Sequence, residues 1–188
     1  SPRTAELTSR AATRSQVESR PTTGSSGMGT QTLARGSTLR TMPLPDPDCE
    51  FCEIIAREED AREVLRTPLA IAFFPTEPAT LGHTLLIPRD HISTVWDLDP
   101  ELAAELGRRT VELAVAIREA TQPEGLNVIQ SNGTVATQTV PHLHVHIVPR
   151  WEDDGVGRIW PPETSYSESD KDETWESIRQ AVRRLGSS

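Results

Sequence analysis

Three histidines, His142, His144 and His146, stand at alternate positions in the run Pro141-His142-Leu143-His144-Val145-His146-Ile147-Val148-Pro149. Successive side chains of a strand point to opposite faces. A strand here therefore puts all three imidazoles on one face and turns Leu143, Val145 and Ile147 toward a core. A lone histidine on a strand is ordinarily just a hydrogen-bonded residue. Three in register have no packing role, because an apolar core gains nothing from them and they repel one another when charged. Two kinds of chemistry suit them: metal ligation, or nucleophilic and acid–base catalysis. Cys49 and Cys52 form a C-x-x-C pair, which offers half of a metal site or simply two buried thiols. Two cysteines are too few for a disulfide framework and these are too close to close a useful loop, so the chain is expected to be reduced and cytoplasmic.

These residues need elements to hold them, and patterned sequence begins after Met42. A proline-rich lead-in, Pro43 to Asp48, precedes a short helical stretch over Cys49–Glu59. Two short apolar runs, Glu63–Arg66 and Leu69–Phe74, are split by Thr67-Pro68 and predict a hairpin. After a loop over Pro75–Gly82, His83–Pro88 predicts a buried strand. Asp99-Pro100 is a helix start, an N-cap followed by proline at the first helical position. Leu102, Leu106, Leu113 and Ile117, flanked by Ala103, Thr110 and Ala114, make one apolar stripe that carries this helix to about Ala120. Gly125–Gln130 and His142–Val148 predict two more strands, with a polar turn over Ser131–Gly133 after the first. A Pro- and acid-rich tail ends in a helix over Glu173–Leu185. Several strands around one long and one short helix make an α+β domain over residues 42–160, with residues 161–188 as an acidic tail.

Charge narrows the function classes. The 188 residues carry 19 Lys+Arg against 28 Asp+Glu, a net −9, which argues against a sequence-independent nucleic-acid binder. No apolar run approaches a membrane span, so no membrane partner is expected. Residues 1–41 hold six Arg and two Glu (+4), leaving 13 basic against 26 acidic residues (−13) in 42–188. Twenty of those first 41 residues are Ser, Thr or Gly and none is aromatic, so the segment is expected to be a disordered extension, with an organellar transit peptide as the alternative.

The triplet resembles the H-φ-H-φ-H-φ-φ signature of the histidine-triad (HIT) nucleotide hydrolases and transferases, φ being apolar. Cys49-Glu50-Phe51-Cys52-Glu53-Ile54-Ile55 is similar to that family's C-x-F-C-x-I-I element. Gly82-His83-Thr84-Leu85-Leu86-Ile87-Pro88-Arg89-Asp90-His91 is similar to its G-H-x-L-φ-I-P-K-x-H element. Residues 125–128 and 138–140 resemble the strand and loop that lead to the triad. The likeness covers about residues 49–150, and all five histidines fall at family positions.

The resemblance implies a five-stranded antiparallel sheet with two helices, paired as a homodimer. It implies His144 as the nucleophile that attacks an α-phosphate, forming a nucleotidyl-histidine that water hydrolyses, with a backbone carbonyl near the first histidine holding its other nitrogen. His142 and His146 complete the catalytic triad, His146 contacting phosphate oxygens. Thr139 and Gln138 would bind phosphate and donate toward the leaving group, with Ser131, Asn132 and His83 on the phosphate side. A structural zinc would be held by Cys49, Cys52, His91 and His142, with no catalytic cofactor. The chain departs from the family pattern at Ser131, often Asn; at Thr137, usually Gly; and at Pro75, where an acid often grips the ribose. Ile159-Trp160-Pro161-Pro162 is similar to a terminal element of the phosphoramidase branch. The expected activity is hydrolysis of nucleoside 5′-phosphoramidates or acyl-nucleotides. The alternatives are diadenosine-polyphosphate cleavage, nucleotidyl transfer, a nucleotide-binding regulator with weak catalysis, or metal-dependent chemistry at the three histidines.

Overall fold

In a computed structural model of the chain, residues 45–57, 61–161 and 163–186 are described. The expectation for residues 1–41 lies outside them, as do the end of the Cys49–Glu59 helix and Pro162. The elements are α1 (Glu50–Ala56), β1 (Arg62–Arg66), β2 (Ala70–Phe74), β3 (Thr84–Pro88), α2 (Pro100–Thr121), β4 (Gly125–Gln130), β5 (Val145–Arg150) and α3 (Glu168–Leu185). Single 3-10 turns at Val95–Asp97 and Thr134–Ala136 punctuate the loops. The five strands form one antiparallel sheet in the order β1-β2-β3-β5-β4, so the fold is the expected α+β class.

The β1–β2 hairpin turns on Thr67, whose hydroxyl accepts from the amides of Leu69 and Ala70. Alternation along the strands then splits the core in two. Ala70, Ala72, Leu86, Val145 and Ile147 face α2 and its Leu102, Leu106, Leu113 and Ile117. Ile71, Phe73, Leu85 and Ile87 face α1 and its Phe51 and Cys52. His146 stands opposite Leu85 in the β3–β5 pair and therefore belongs to the α1 face. α2 starts as expected: the Asp99 carboxylate accepts from the amides of Glu101 and Leu102, with Pro100 in the first turn.

Several boundaries differ from the sequence reading, and three of them matter to the site or the tail. β5 begins at Val145 rather than His142, and β3 at Thr84 rather than His83, so His83, His142 and His144 lie at strand entrances. The β3–β5 ladder cannot run on past Pro88, which has no N–H to donate. Leu143 instead donates its amide to the Ile92 carbonyl. The terminal helix begins five residues before Glu173, at Glu168, because Ser167 caps it by accepting from the Asp170 amide.

Candidate active site and metal cluster

The segment that enters β5 presents His144 with its Nδ1 2.7 Å from the His142 carbonyl oxygen. A carbonyl oxygen only accepts, so Nδ1 carries the proton and Nε2 keeps its lone pair. That is the state in which an imidazole attacks. His144 is 3% exposed, with the Phe51 ring edge-on at 5.3 Å and the His146 ring at 4.8 Å.

A second chain of hydrogen bonds fixes His146. The Ala79 amide donates to His83 Nδ1 at 3.1 Å, so in a neutral His83 the proton is on Nε2. That N–H donates to His146 Nδ1 at 3.0 Å, which leaves His146 with its proton on Nε2, as a donor. The neutral forms are favoured electrostatically. Burial lowers His83 below its ordinary value. Burial, helped by the neighbouring His144 and His83, lowers His146 to about 4.

His142 is fully buried and uses its two nitrogens differently. Nε2 donates to the Pro88 carbonyl at 3.0 Å, and Nδ1 faces the sulfurs of Cys49 at 3.5 Å and Cys52 at 3.8 Å. Burial, with His91 and His144 nearby and the Pro88 carbonyl opposing, lowers it to about 4. His91 Nδ1 lies 3.3 Å from Cys52 Sγ, and its Nε2 looks toward Asp46 at 3.9 Å. The ligand atoms of Cys49, Cys52, His91 and His142 all lie within 4.8 Å of one another. Tetrahedral zinc, with bonds of about 2.3 Å to sulfur and about 2.05 Å to nitrogen, sets its ligand atoms roughly 3.6 Å apart. The four residues therefore fit zinc in distance as well as in donor type. Burial also pushes the Cys52 thiol up, so a cation is what would favour the thiolate there.

The loop after β4 is braced internally. Gln138 accepts from the Gly133 amide through Oε1 and donates through Nε2 to the Ser93 carbonyl. Asn132 accepts from the Val95 amide and exchanges bonds with Gln130. Both amides tie the loop to residues 93–95, and Gln138 keeps one side-chain N–H beyond these bonds. Ser131 is half-buried and Thr139 exposed on the same loop. Thr137 sits at φ +68, the left-handed region, so a β-branched residue occupies a conformation that suits the expected glycine.

A cavity of about 390 Å³ opens on the α1 face, lined by Ile54, Ala61, Arg62, Phe73, Phe74 and Thr76. Phe73 meets Phe51 at 5.8 Å, and Phe51 meets His144. A larger cavity of about 560 Å³, among Thr80, Leu81, Thr121, Trp151, Asp153 and Asp154, is lined by none of the histidines. Trp160 lines a third, with Arg150 and Arg158. In the sequence Phe51 stands out only as part of the C-x-F-C element. Its central place, against His142, His144 and Phe73, shows only in three dimensions.

Residues 56–153 match the HIT domain family. Protein hit of Bacillus subtilis is 36% identical over 143 residues, 75% of this chain and 97% of that protein. Adenosine 5'-monophosphoramidase hnt1 of Schizosaccharomyces pombe is 34% identical over 114 residues, 60% of this chain and 83% of its own. Adenylylsulfatase HINT3 of Arabidopsis thaliana is 32% identical over 162 residues, 86% and 76%. Among solved structures, a HIT family protein from Bacillus subtilis has a TM-score of 0.65 at 36% identity, covering 71% of this chain and 96% of that one. A zinc-bound histidine triad family protein from Mycobacterium smegmatis has a TM-score of 0.55 at 30% identity, covering 74% and 96%. The likeness runs through nearly the whole of the Bacillus protein, and on that ground this chain belongs to the HIT family.

Proposed function

We propose that the chain is a nucleotide hydrolase that cleaves nucleoside 5′-phosphoramidates or acyl-nucleotides through a nucleotidyl-His144 intermediate and releases the nucleoside monophosphate. The observation that carries this reading is the 2.7 Å bond from His144 Nδ1–H to the His142 carbonyl, which leaves Nε2 bare and aimed away from its anchor. Relatives named for an adenosine 5'-monophosphoramidase and an adenylylsulfatase support the hydrolase class.

In this reading His144 Nε2 attacks the α-phosphorus and the bond to the leaving group breaks, the departing amine taking up a proton from water. Water then adds to phosphorus and gives up a proton to solvent, the phosphorus–nitrogen bond to His144 breaks with its electron pair returning to Nε2, and the nucleotide leaves. His146 donates its Nε2–H to a phosphoryl oxygen, oriented from behind by His83. Ser131, Asn132, the remaining Gln138 N–H and the Thr139 hydroxyl line the phosphate and leaving-group side. The Phe73–Phe74 cavity takes the nucleoside, with Pro75 standing where an acid would grip the ribose. Cys49, Cys52, His91 and His142 hold a zinc that supplies structural cross-linking. The chain works as a homodimer, supported by the unpaired edge strand β4 and by exposed Val111, Val115 and Val128 beside it.

Intact mass after mixing with adenosine 5′-phosphoramidate, quenched at neutral-to-alkaline pH because histidine–phosphorus bonds are acid-labile, tests the reading. A transient gain of one adenylyl group in the wild type and none in His144→Ala is expected. His144→Ala should keep its circular dichroism while turnover falls by roughly three orders of magnitude or more. Full turnover in His144→Ala ends the nucleophile assignment. Tight AMP binding with neither adduct nor turnover favours a regulatory nucleotide-binding role instead.

A further inference from the structure

We infer that the Cys49–Cys52–His91–His142 cluster sets the reactivity of His144, with Phe51 and the His142 carbonyl as the positioning groups that link the two. The inference rests on the nucleophile reading above for its kinetic consequence, though not for its geometry.

Two contacts carry it. His142 belongs to both sites. Its imidazole faces the two sulfurs while its own carbonyl takes the His144 Nδ1–H. With Nε2 on the Pro88 carbonyl and Nδ1 on a cation, the ring has no freedom left, and the peptide that carries the carbonyl is held with it. Phe51 is the second contact. It lies between the two cysteines in sequence, and its ring stands edge-on to His142 at 5.8 Å, His144 at 5.3 Å and Phe73 at 5.8 Å.

Phe51 packs with Ile71, Phe73, Leu85 and Ile87, and to that non-directional apolar packing the cluster would add a directional link at the start of α1. The helix is only seven residues long, and its N-cap, Cys49, makes no side-chain capping bond. A helix that short is not stable by itself. Thiols are weak donors and weak acceptors, so four ligand side chains without a cation hold one another loosely. A cation that draws both sulfurs onto His91 and His142 fastens the start of α1 to the segment entering β5. The same act fixes Phe51 against one side of His144 and the carbonyl on its far nitrogen. A displacement of about 1 Å at a nucleophile costs roughly 100-fold in rate, which is larger than a stabilising cross-link alone predicts for the folded molecules that remain.

The test uses the full chain, loaded with zinc or stripped with chelator, and the Phe51→Ala variant, which keeps all four ligands. Imidazole nitrogen NMR of the ligand-free protein reads the His144 tautomer directly. Single-turnover adduct formation with adenosine 5′-phosphoramidate and calorimetric AMP binding separate rate from affinity. Zinc-loaded protein should give one fixed Nδ1–H tautomer at His144. Stripped but folded protein should lose it and form adduct about 100-fold more slowly. Phe51→Ala should bind stoichiometric zinc and AMP within about twofold of wild type, yet form adduct about tenfold more slowly.

An unchanged tautomer and rate in stripped, folded protein overturns the coupling. So does a wild-type rate in zinc-loaded Phe51→Ala, or a loss confined to AMP affinity, which would make Phe51 a substrate wall. Failure to bind zinc overturns it too. If zinc-loaded wild type forms no adduct, the hydrolase reading fails, while the NMR comparison still decides the coupling.

Discussion

His83, His144 and His146 interlock so that each ring nitrogen has one duty: an anchor, a relay, a donor or a bare lone pair. That arrangement exists only while the rings are neutral, and it makes the fold sensitive to acid. His146 ionises near 4 in the folded protein against about 6.5 unfolded, so between those values the unfolded chain binds more protons. Stability is therefore complete above pH 6.5 and falls as pH drops toward 4, with His146 and His142 contributing in the same direction. Urea unfolding at a series of pH values should display this slope, and His146→Asn should flatten it; an unchanged slope in the variant would assign the loss to other groups. Thr137 supplies a second prediction. Its left-handed backbone is costly for a β-branched residue, so Thr137→Gly should raise stability by about 1 kcal/mol after the glycine's own entropy is counted, read as a thermal midpoint about 2–4 °C higher. The alternating histidines were legible in the sequence because period two is a backbone property. The bracing of Gln138 and Asn132 was not, since their partners, Ser93 and Val95, come from another loop.

At the scale of elements, local signals served where the cause was local. Asp99-Pro100 marks the start of α2, and Asp99→Ala should cost about 1 kcal/mol through two lost amide bonds, measurable by thermal unfolding. Ser167, three residues before Asp170, marks the start of α3 just as locally, and the reading that began at Glu173 followed the acidic pattern instead of the cap. The late start of β5 had no such mark, because Pro88 stops the ladder from the neighbouring strand. Gly82 is the tightest hinge in this layout. At φ +100 it turns the loop into β3, and a Cβ there would lie 3.0 Å from Pro149 Cγ and 3.2 Å from Thr121 Cγ2. Gly82→Ala should destabilise by about 1–3 kcal/mol and displace His83, so turnover should fall along with the thermal midpoint. Retained stability with full activity would mean that the hinge relaxes without moving His83.

At the scale of the whole molecule, the sheet is sealed at its centre and ends in β1 on one side and β4 on the other. β4 ends the sheet, and beside it Val111, Val115 and Val128 leave an apolar surface on α2 and β4. Among the described residues no helix is long and apolar enough to cross a membrane, so this surface does not come from a spanning helix. Sedimentation should give about twice the 20.7 kDa chain mass, and Val111→Glu with Val115→Glu should shift it to the monomer without unfolding; a wild-type monomer would remove the dimer from the proposal. The central strands have a consequence for synthesis. β3 and β5 are neighbours in space, yet His83 and His146 are 63 residues apart, His142 and Pro88 54, and Cys49 and His142 93. The bonds that join the two strands cannot close while the chain is short, and each of these closures carries the entropy of a long loop. A ribosome-bound fragment that stops before His142 would carry His83 and two idle thiols but none of the three alternating histidines. The competent site arrives in one event, with the last strand.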